Sequence, residues 1–236
     1  MPQINAFESQ RRLLLRCLGA GCFMLGAAPV LRAEPLGKTP GPLPPGRSIY
    51  RIEGEVSVNG LAADAQTLIS ANDQVQTGPN GQVIFAVGQD AFILRPRSEL
   101  HLTGRDGLIV HGLRLLTGGL LSVFGKREHA IQTAHATIGI RGTGVYVESQ
   151  PEQSYVCTCY GLTQITALGA PEQSESIYSQ HHDAPRYIAG TGANRIQPAP
   201  VVDHTDAELA LVEALVGRVP PFSFTMPGRV GSAGHY

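Results

Sequence analysis

Between Ile49 and Leu168 the chain is a succession of short runs rich in Val, Ile, Leu, Phe and Tyr, each closed by Gly, Asn, Asp or Pro. The centres of these runs lie about 8 to 12 residues apart, which leaves little room for crossover helices between them. That spacing argues against a parallel α/β sheet and predicts a mainly β fold: a roll, a sandwich or a solenoid-like stack of short strands. Expected strands run from Ile49 to Val58, Val75 to Thr77, Gln82 to Val87, Ala91 to Leu94, Glu99 to Thr103, Leu108 to Leu116, Leu120 to Phe124 and Ala130 to Thr133. Four more cover Thr137 to Ile140, Val145 to Glu148, Tyr155 to Cys159 and Leu162 to Leu168. In the run from Gln82, Val83, Phe85 and Val87 share one face while Ile84 and Ala86 share the other. Gly78-Pro79-Asn80-Gly81 ahead of it reads as a turn of the tight-hairpin kind. The 28 Gly and 17 Pro suit a fold with many such turns.

One segment breaks the pattern. Thr205-Asp206-Ala207-Glu208 is a capping box, in which the Thr205 hydroxyl and the Glu208 carboxylate each satisfy an early backbone N–H. Leu209, Val212, Leu215 and Val216 follow at helical spacing, and Gly217 with Pro220-Pro221 ends the run. A short helix is therefore expected at about 205–217, and one this short needs a surface to dock on.

The amino-terminal end reads as an export leader. Arg11-Arg12-Leu13-Leu14-Leu15-Arg16 resembles a twin-arginine export motif, followed by an apolar stretch from Cys17 to Val30. That stretch is shorter than the roughly 20 residues a membrane span requires. The expected organisation is a signal peptide over 1–33, a proline-rich linker over 34–47, a β domain over 48–170 and a carboxy-terminal extension over 171–236. The mature chain is then periplasmic or secreted, with no stable membrane span once the leader is gone. With 18 basic and 19 acidic residues the formal net charge is -1, and no basic cluster marks a nucleic-acid partner.

Several segments from Ile52 to Leu168 resemble the FecR domain family. They are Gly54-Glu55-Val56, Asp73-Gln74-Val75-Gln76-Thr77-Gly78, Leu94-Arg95-Pro96-Arg97-Ser98-Glu99-Leu100 and Leu116-Thr117-Gly118-Gly119-Leu120-Leu121. The most specific is Thr137-Ile138-Gly139-Ile140-Arg141-Gly142-Thr143-Gly144-Val145-Tyr146-Val147. The resemblance implies a periplasmic β domain used in binding, scaffolding or envelope signalling, with an envelope protein or cell-wall component as partner. Regulatory members of that family carry a sigma-factor-holding part before a membrane span. An export leader stands in that position here, so anti-sigma activity is not carried over. Within the motif, Arg141, Gly142 and Thr143 are expected at a strand-to-strand bend. Gly142 there supplies positive φ or close approach, and Thr143 bonds its hydroxyl to a neighbouring amide.

Two cysteines lie beyond the leader, Cys157 and Cys159, in Tyr155-Val156-Cys157-Thr158-Cys159-Tyr160-Gly161. Strand alternation puts both sulfurs on one face with Cα atoms roughly 6.5 to 7 Å apart. A disulfide there would need a bend or bulge. Downstream, His181-His182-Asp183 and His204 offer imidazoles. Cys157, Cys159 and two of His181, His182 and His204 make a sulfur-and-nitrogen set suited to zinc or copper. Adjacent histidines on extended backbone point to opposite sides, so one of His181 and His182 is the expected ligand, with Asp183 holding its far nitrogen. A strained disulfide, a pair of buried thiols, and a redox or haem role are the other readings of the same residues. No Gly-x-Ser-x-Gly, paired-carboxylate or phosphate-cradling pattern occurs, so no enzyme is predicted. His129 and His135 read as surface or satisfied core histidines rather than catalytic bases.

Overall fold

A computed structural model describes residues 40–222; the leader expected over residues 1–33 lies outside them. The fold is mainly β, as the spacing predicts. Its strands are β1 (Ile49–Glu53), β2 (Val56–Val58), β3 (Leu61–Ala62), β4 (Gln74–Thr77), β5 (Gln82–Val87), β6 (Asp90–Leu94) and β7 (Glu99–Arg105). They continue with β8 (Ile109–Val123), β9 (Glu128–Gln132), β10 (Ala136–Ser149), β11 (Gln153–Ala167), β12 (Ala170–Ser179), β13 (Arg186–Ala189) and β14 (Ile196–Pro198). One helix, α1 (Asp206–Leu215), follows among the described residues. It is not long enough to cross a membrane.

All strands join one hydrogen-bonded network, open rather than closed into a barrel. Its pairings are antiparallel except for β8 with β9. Three strands are far longer than their sequence runs suggest, because pairs of expected strands are continuous. Each changes partner at a glycine with positive φ. β8 leaves β7 for β6 and β10 around Gly118 (φ 84). β10 passes from β9 to β8 around Gly142 (φ 58). β11 passes from β13 to β12, with Gly161 (φ 90) at the start of its second pairing. Left-handed backbone is open to glycine at little steric cost, so the bend is local and the ladder resumes beyond it.

Two expectations need correction. Gly78–Gly81 is not a hairpin: β4 pairs with β2 and β7, whereas β5 pairs with β1 and β6. The turn carries the chain from one part of the network to another, and the Gly78 amide bonds the Glu55 carbonyl in passing. The segment from residue 171, read as an extension, contributes most of β12 and all of β13 and β14 to the same network. The linker is also less free than its prolines suggest, since the Leu43 amide donates to the Leu215 carbonyl at 3.1 Å.

Apolar side chains fall into two layers. Val83, Phe85, Phe92, Leu115, Leu120, Val147, Val156 and Ile165 belong to a main core enclosed by the folded sheet. Their sequence neighbours Ile84, Ile93, Leu121, Tyr146, Tyr155, Cys157 and Cys159 point the other way, into a second layer covered by α1. The helix supplies Leu209, Val212 and Leu215, all buried. Each such side chain stabilises the docked helix by about 2 kcal/mol. Cysteines on a strand's outer face thus become buried residues.

Candidate metal centre

Four elements converge in the layer beneath α1. β11 presents Cys157 and Cys159, both fully buried. The turn after β12 presents His182, whose amide donates to the Cys159 carbonyl at 2.9 Å. The segment ahead of α1 presents His204, and the first turn of α1 presents Asp206. The nearest donor atoms of Cys157, Cys159, His182 and His204 all lie within 4.8 Å of one another.

Local backbone is bent to achieve this. His182 (φ 55) and Asp203 (φ 54), the residue before His204, both occupy the left-handed region. That conformation is uncommon for residues other than glycine and collects at ligand-holding positions. Tyr155, on β11 beside the cysteines, donates its hydroxyl to the Pro200 carbonyl at 2.8 Å and accepts from the Val202 amide at 3.3 Å. This anchors the approach to His204. Tyr146, opposite Cys157 in the β10–β11 register, stacks on the His204 ring at 4.7 Å and 20°.

Hydrogen bonding fixes the tautomers. His204 Nδ1 lies 2.6 Å from the Val202 carbonyl, which can only accept, so Nδ1 carries hydrogen and Nε2 faces inward as a lone pair. His182 Nε2 lies 3.2 Å from Asp206 Oδ1, so Nε2–H donates outward and Nδ1 faces inward. The inward atoms are close: Nδ1 of His182 is 3.3 Å from the Cys157 sulfur and 3.0 Å from Nε2 of His204. A tetrahedral zinc with ordinary bond lengths would set neighbouring nitrogens about 3.3 Å and neighbouring sulfurs about 3.8 Å apart. Four donors with both histidines braced from behind therefore form a set able to coordinate a metal ion.

The cluster is electrostatically polarised. Cys157 is pushed down to about 4, first by hydrogen bonding with Cys159 and then, against burial, by His182 and His204. Burial and the neighbouring Cys157 push the Cys159 thiol up. Burial alone would lower His182, but Cys157 and Asp206 raise it. The lowered value favours the thiolate at Cys157, the form in which a cysteine sulfur binds a metal. The sulfurs are not bonded to each other; the Cys159 thiol donates to the Cys157 carbonyl at 3.7 Å.

The other expected residues lie apart. His181 turns away from the sulfurs, with Nε2 2.8 Å from Asp206 Oδ1 and its ring against Phe222. Asp183 does not brace a histidine ring. Its carboxylate instead accepts from the Gln180 and His181 amides and closes the turn. Asp206 takes the bracing position that sequence reading gave to Asp183. The capping box puts Asp206 at the start of a helix two residues after His204, but only the docking of α1 brings its carboxylate to His182. Arg141 is exposed, while Thr143 braces the β10 bend: its hydroxyl accepts from the Leu162 amide at 3.1 Å and shares its one hydrogen between the Arg141 and Leu162 carbonyls at 2.9 and 3.1 Å.

No family model matches the chain, and no curated protein does. Among solved structures, it is similar to two crystal structures of a candidate anti-sigma factor from Parabacteroides distasonis. They are 10% and 11% identical, each with a TM-score of 0.44 over 53% of this chain. The chain spans 58% of the length of that protein.

Proposed function

We propose that this protein is an exported, FecR-like β module that holds one structural metal ion, zinc or copper, on Cys157, Cys159, His182 and His204. One observation carries the reading: four soft and borderline donors gather within 4.8 Å, and both imidazoles have their far nitrogens committed to oxygen acceptors. Two thiolates with two imidazoles suit tetrahedral zinc, and the sulfurs also suit copper(I). Four protein donors leave no position for substrate, so the ion's role is to tie α1 and the His182 turn to β11. The paired arginines at Arg11-Arg12 supply the case for export, and a periplasmic envelope partner is the context that the FecR-like segments supply.

Elemental analysis of the purified full-length protein, followed by cobalt(II) exchange, tests this. The expected result is about one ion per chain and an intense sulfur-to-cobalt charge-transfer band, lost in Cys157→Ser and Cys159→Ser. Trace metal only, with no such band in the refolded apoprotein, would overturn it.

A further inference from the structure

Behind the buried cluster lies a second convergence of donors, which uses the back of the same histidine. His181 Nε2 and His182 Nε2 both point at Asp206 Oδ1, at 2.8 and 3.2 Å. These three atoms all lie within 4.8 Å of one another. Unlike the buried set, this one meets solvent: the His181 and Asp206 side chains are 48% and 32% exposed. His181 also borders a recess of about 750 Å³ lined by Tyr160, Tyr178 and Phe222.

We infer that His181, Asp206 and the far nitrogen of His182 form a second, solvent-facing site for a divalent cation of the zinc class, with His182 bridging the two ions. The inference rests on the reading of the buried site, because His182 joins the second ion from a ring already aimed and held by the first. Two imidazole nitrogens and one carboxylate oxygen suit a borderline divalent ion and leave coordination positions for water. Edge lengths of 2.8 and 3.2 Å approach the roughly 3.3 Å that nitrogen and oxygen ligands adopt around such an ion.

The protons balance. With the second site empty, Asp206 accepts N–H from both rings. When the ion binds, His181 keeps its hydrogen by carrying it on Nδ1. His182, whose Nδ1 is committed to the buried ion, gives its Nε2 proton to solvent. One proton leaves per ion bound, and Asp206 changes from acceptor to ligand. This burden on His182 makes the second site the weaker one. Its open positions make it the exchangeable one.

Titration of the full-length apoprotein with zinc, by calorimetry and equilibrium dialysis, decides the matter. The wild type is expected to take up about two ions in resolved steps, the second at least about 10-fold weaker. His181→Ala removes an exposed ring, and should abolish the weak step while leaving the tight step and the cobalt–thiolate band intact. His181→Gln, which keeps a polar side chain of similar reach without imidazole, should behave as the alanine variant does. A single step of one ion, identical in the wild type and both variants, would overturn the second site and leave the buried one standing. Loss of the thiolate band from the wild type would instead sink the buried site. A step that survives Cys157→Ser unchanged would remove the bridging arrangement.

Discussion

Arg95, just beyond β6, grips Glu208 of α1 through two parallel hydrogen bonds, Nη1 to Oε1 at 2.6 Å and Nη2 to Oε2 at 3.0 Å. Nη2 also donates to the Asp203 carbonyl at 2.7 Å, beside His204. One guanidinium thus fixes both the helix and the left-handed residue that delivers a ligand. Removing one member of such a partly buried pair leaves the other uncompensated. Arg95→Ala is expected to cost about 2 kcal/mol in urea denaturation and to weaken cobalt binding. Arg95→Lys, lacking the fork, should recover only part of either.

The same pair sets an acid limit. Burial pushes Glu208 up, but Arg95 outweighs it and holds the carboxyl below its ordinary 4.5. The folded state therefore binds fewer protons than the unfolded chain in that range. Its contribution is complete above pH 4.5 and fades as pH falls through the lowered value. Arg95→Ala should flatten this part of the stability–pH curve, as followed by denaturation at stepped pH.

Asp206 braces His182 and His181 without touching a sulfur. Asp206→Ala is expected to weaken metal binding at the buried site by about 10- to 100-fold. The stability of the metal-free protein should fall by only about 0.5 to 1 kcal/mol, from a lost acidic charge at a helix start. Equal losses in both measurements would mean that the residue serves the helix alone.

His129 presents a different balance. Its side chain is 1% exposed, neither ring nitrogen has a hydrogen-bond partner, and the nearest carboxylate, Asp90, is 3.7 Å away. The ring packs on Phe124 at 4.7 Å. An apolar replacement loses no hydrogen bond, so His129→Leu should be neutral or stabilising by about 1 kcal/mol. Burial lowers the His129 value below 6.5, against the pull of Asp90. The unfolded chain then takes up the proton first, and stability falls as pH drops below 6.5. The leucine variant should lose less stability between neutral pH and mild acid than the wild type does.

Glycines separate by position. Gly118 has φ 84, and an added Cβ would strike Ser98. Gly139 lies in regular β10, where the nearest atom to an added Cβ is 3.7 Å away. Gly118→Ala should therefore destabilise by more than about 2 kcal/mol, while Gly139→Ala should be neutral or gain up to about 1 kcal/mol. Thermal melts of the two variants give the comparison.

The sequence carried the strand content, the helix with its cap, and the clustering of cysteines with distal histidines. Each of these depends on local chemistry: alternation, capping, and the side-chain types themselves. It did not carry the joining of runs across Gly118, Gly142 and Gly161, because a glycine that ends a strand and one that bends it look alike locally. Asn80-Gly81 misled for a related reason, since turn chemistry does not say whether the flanking strands pair. The choice of Asp206 over Asp183 was hidden because it depends on how α1 docks, a matter of tertiary packing. That only one of the adjacent histidines reaches the sulfurs was expected from extended backbone, yet His182 is left-handed and both rings meet Asp206, so the separation comes from the bent turn and not from strand alternation.

Strands that bend and take new partners belong to more than one neighbourhood of the sheet. β8, β10 and β11 each do so, and among the described residues no seam runs between their halves along which the β fold could part. Melting should accordingly be all-or-none, with calorimetric and van't Hoff enthalpies in agreement, and a protease should find few stable half-molecules to release.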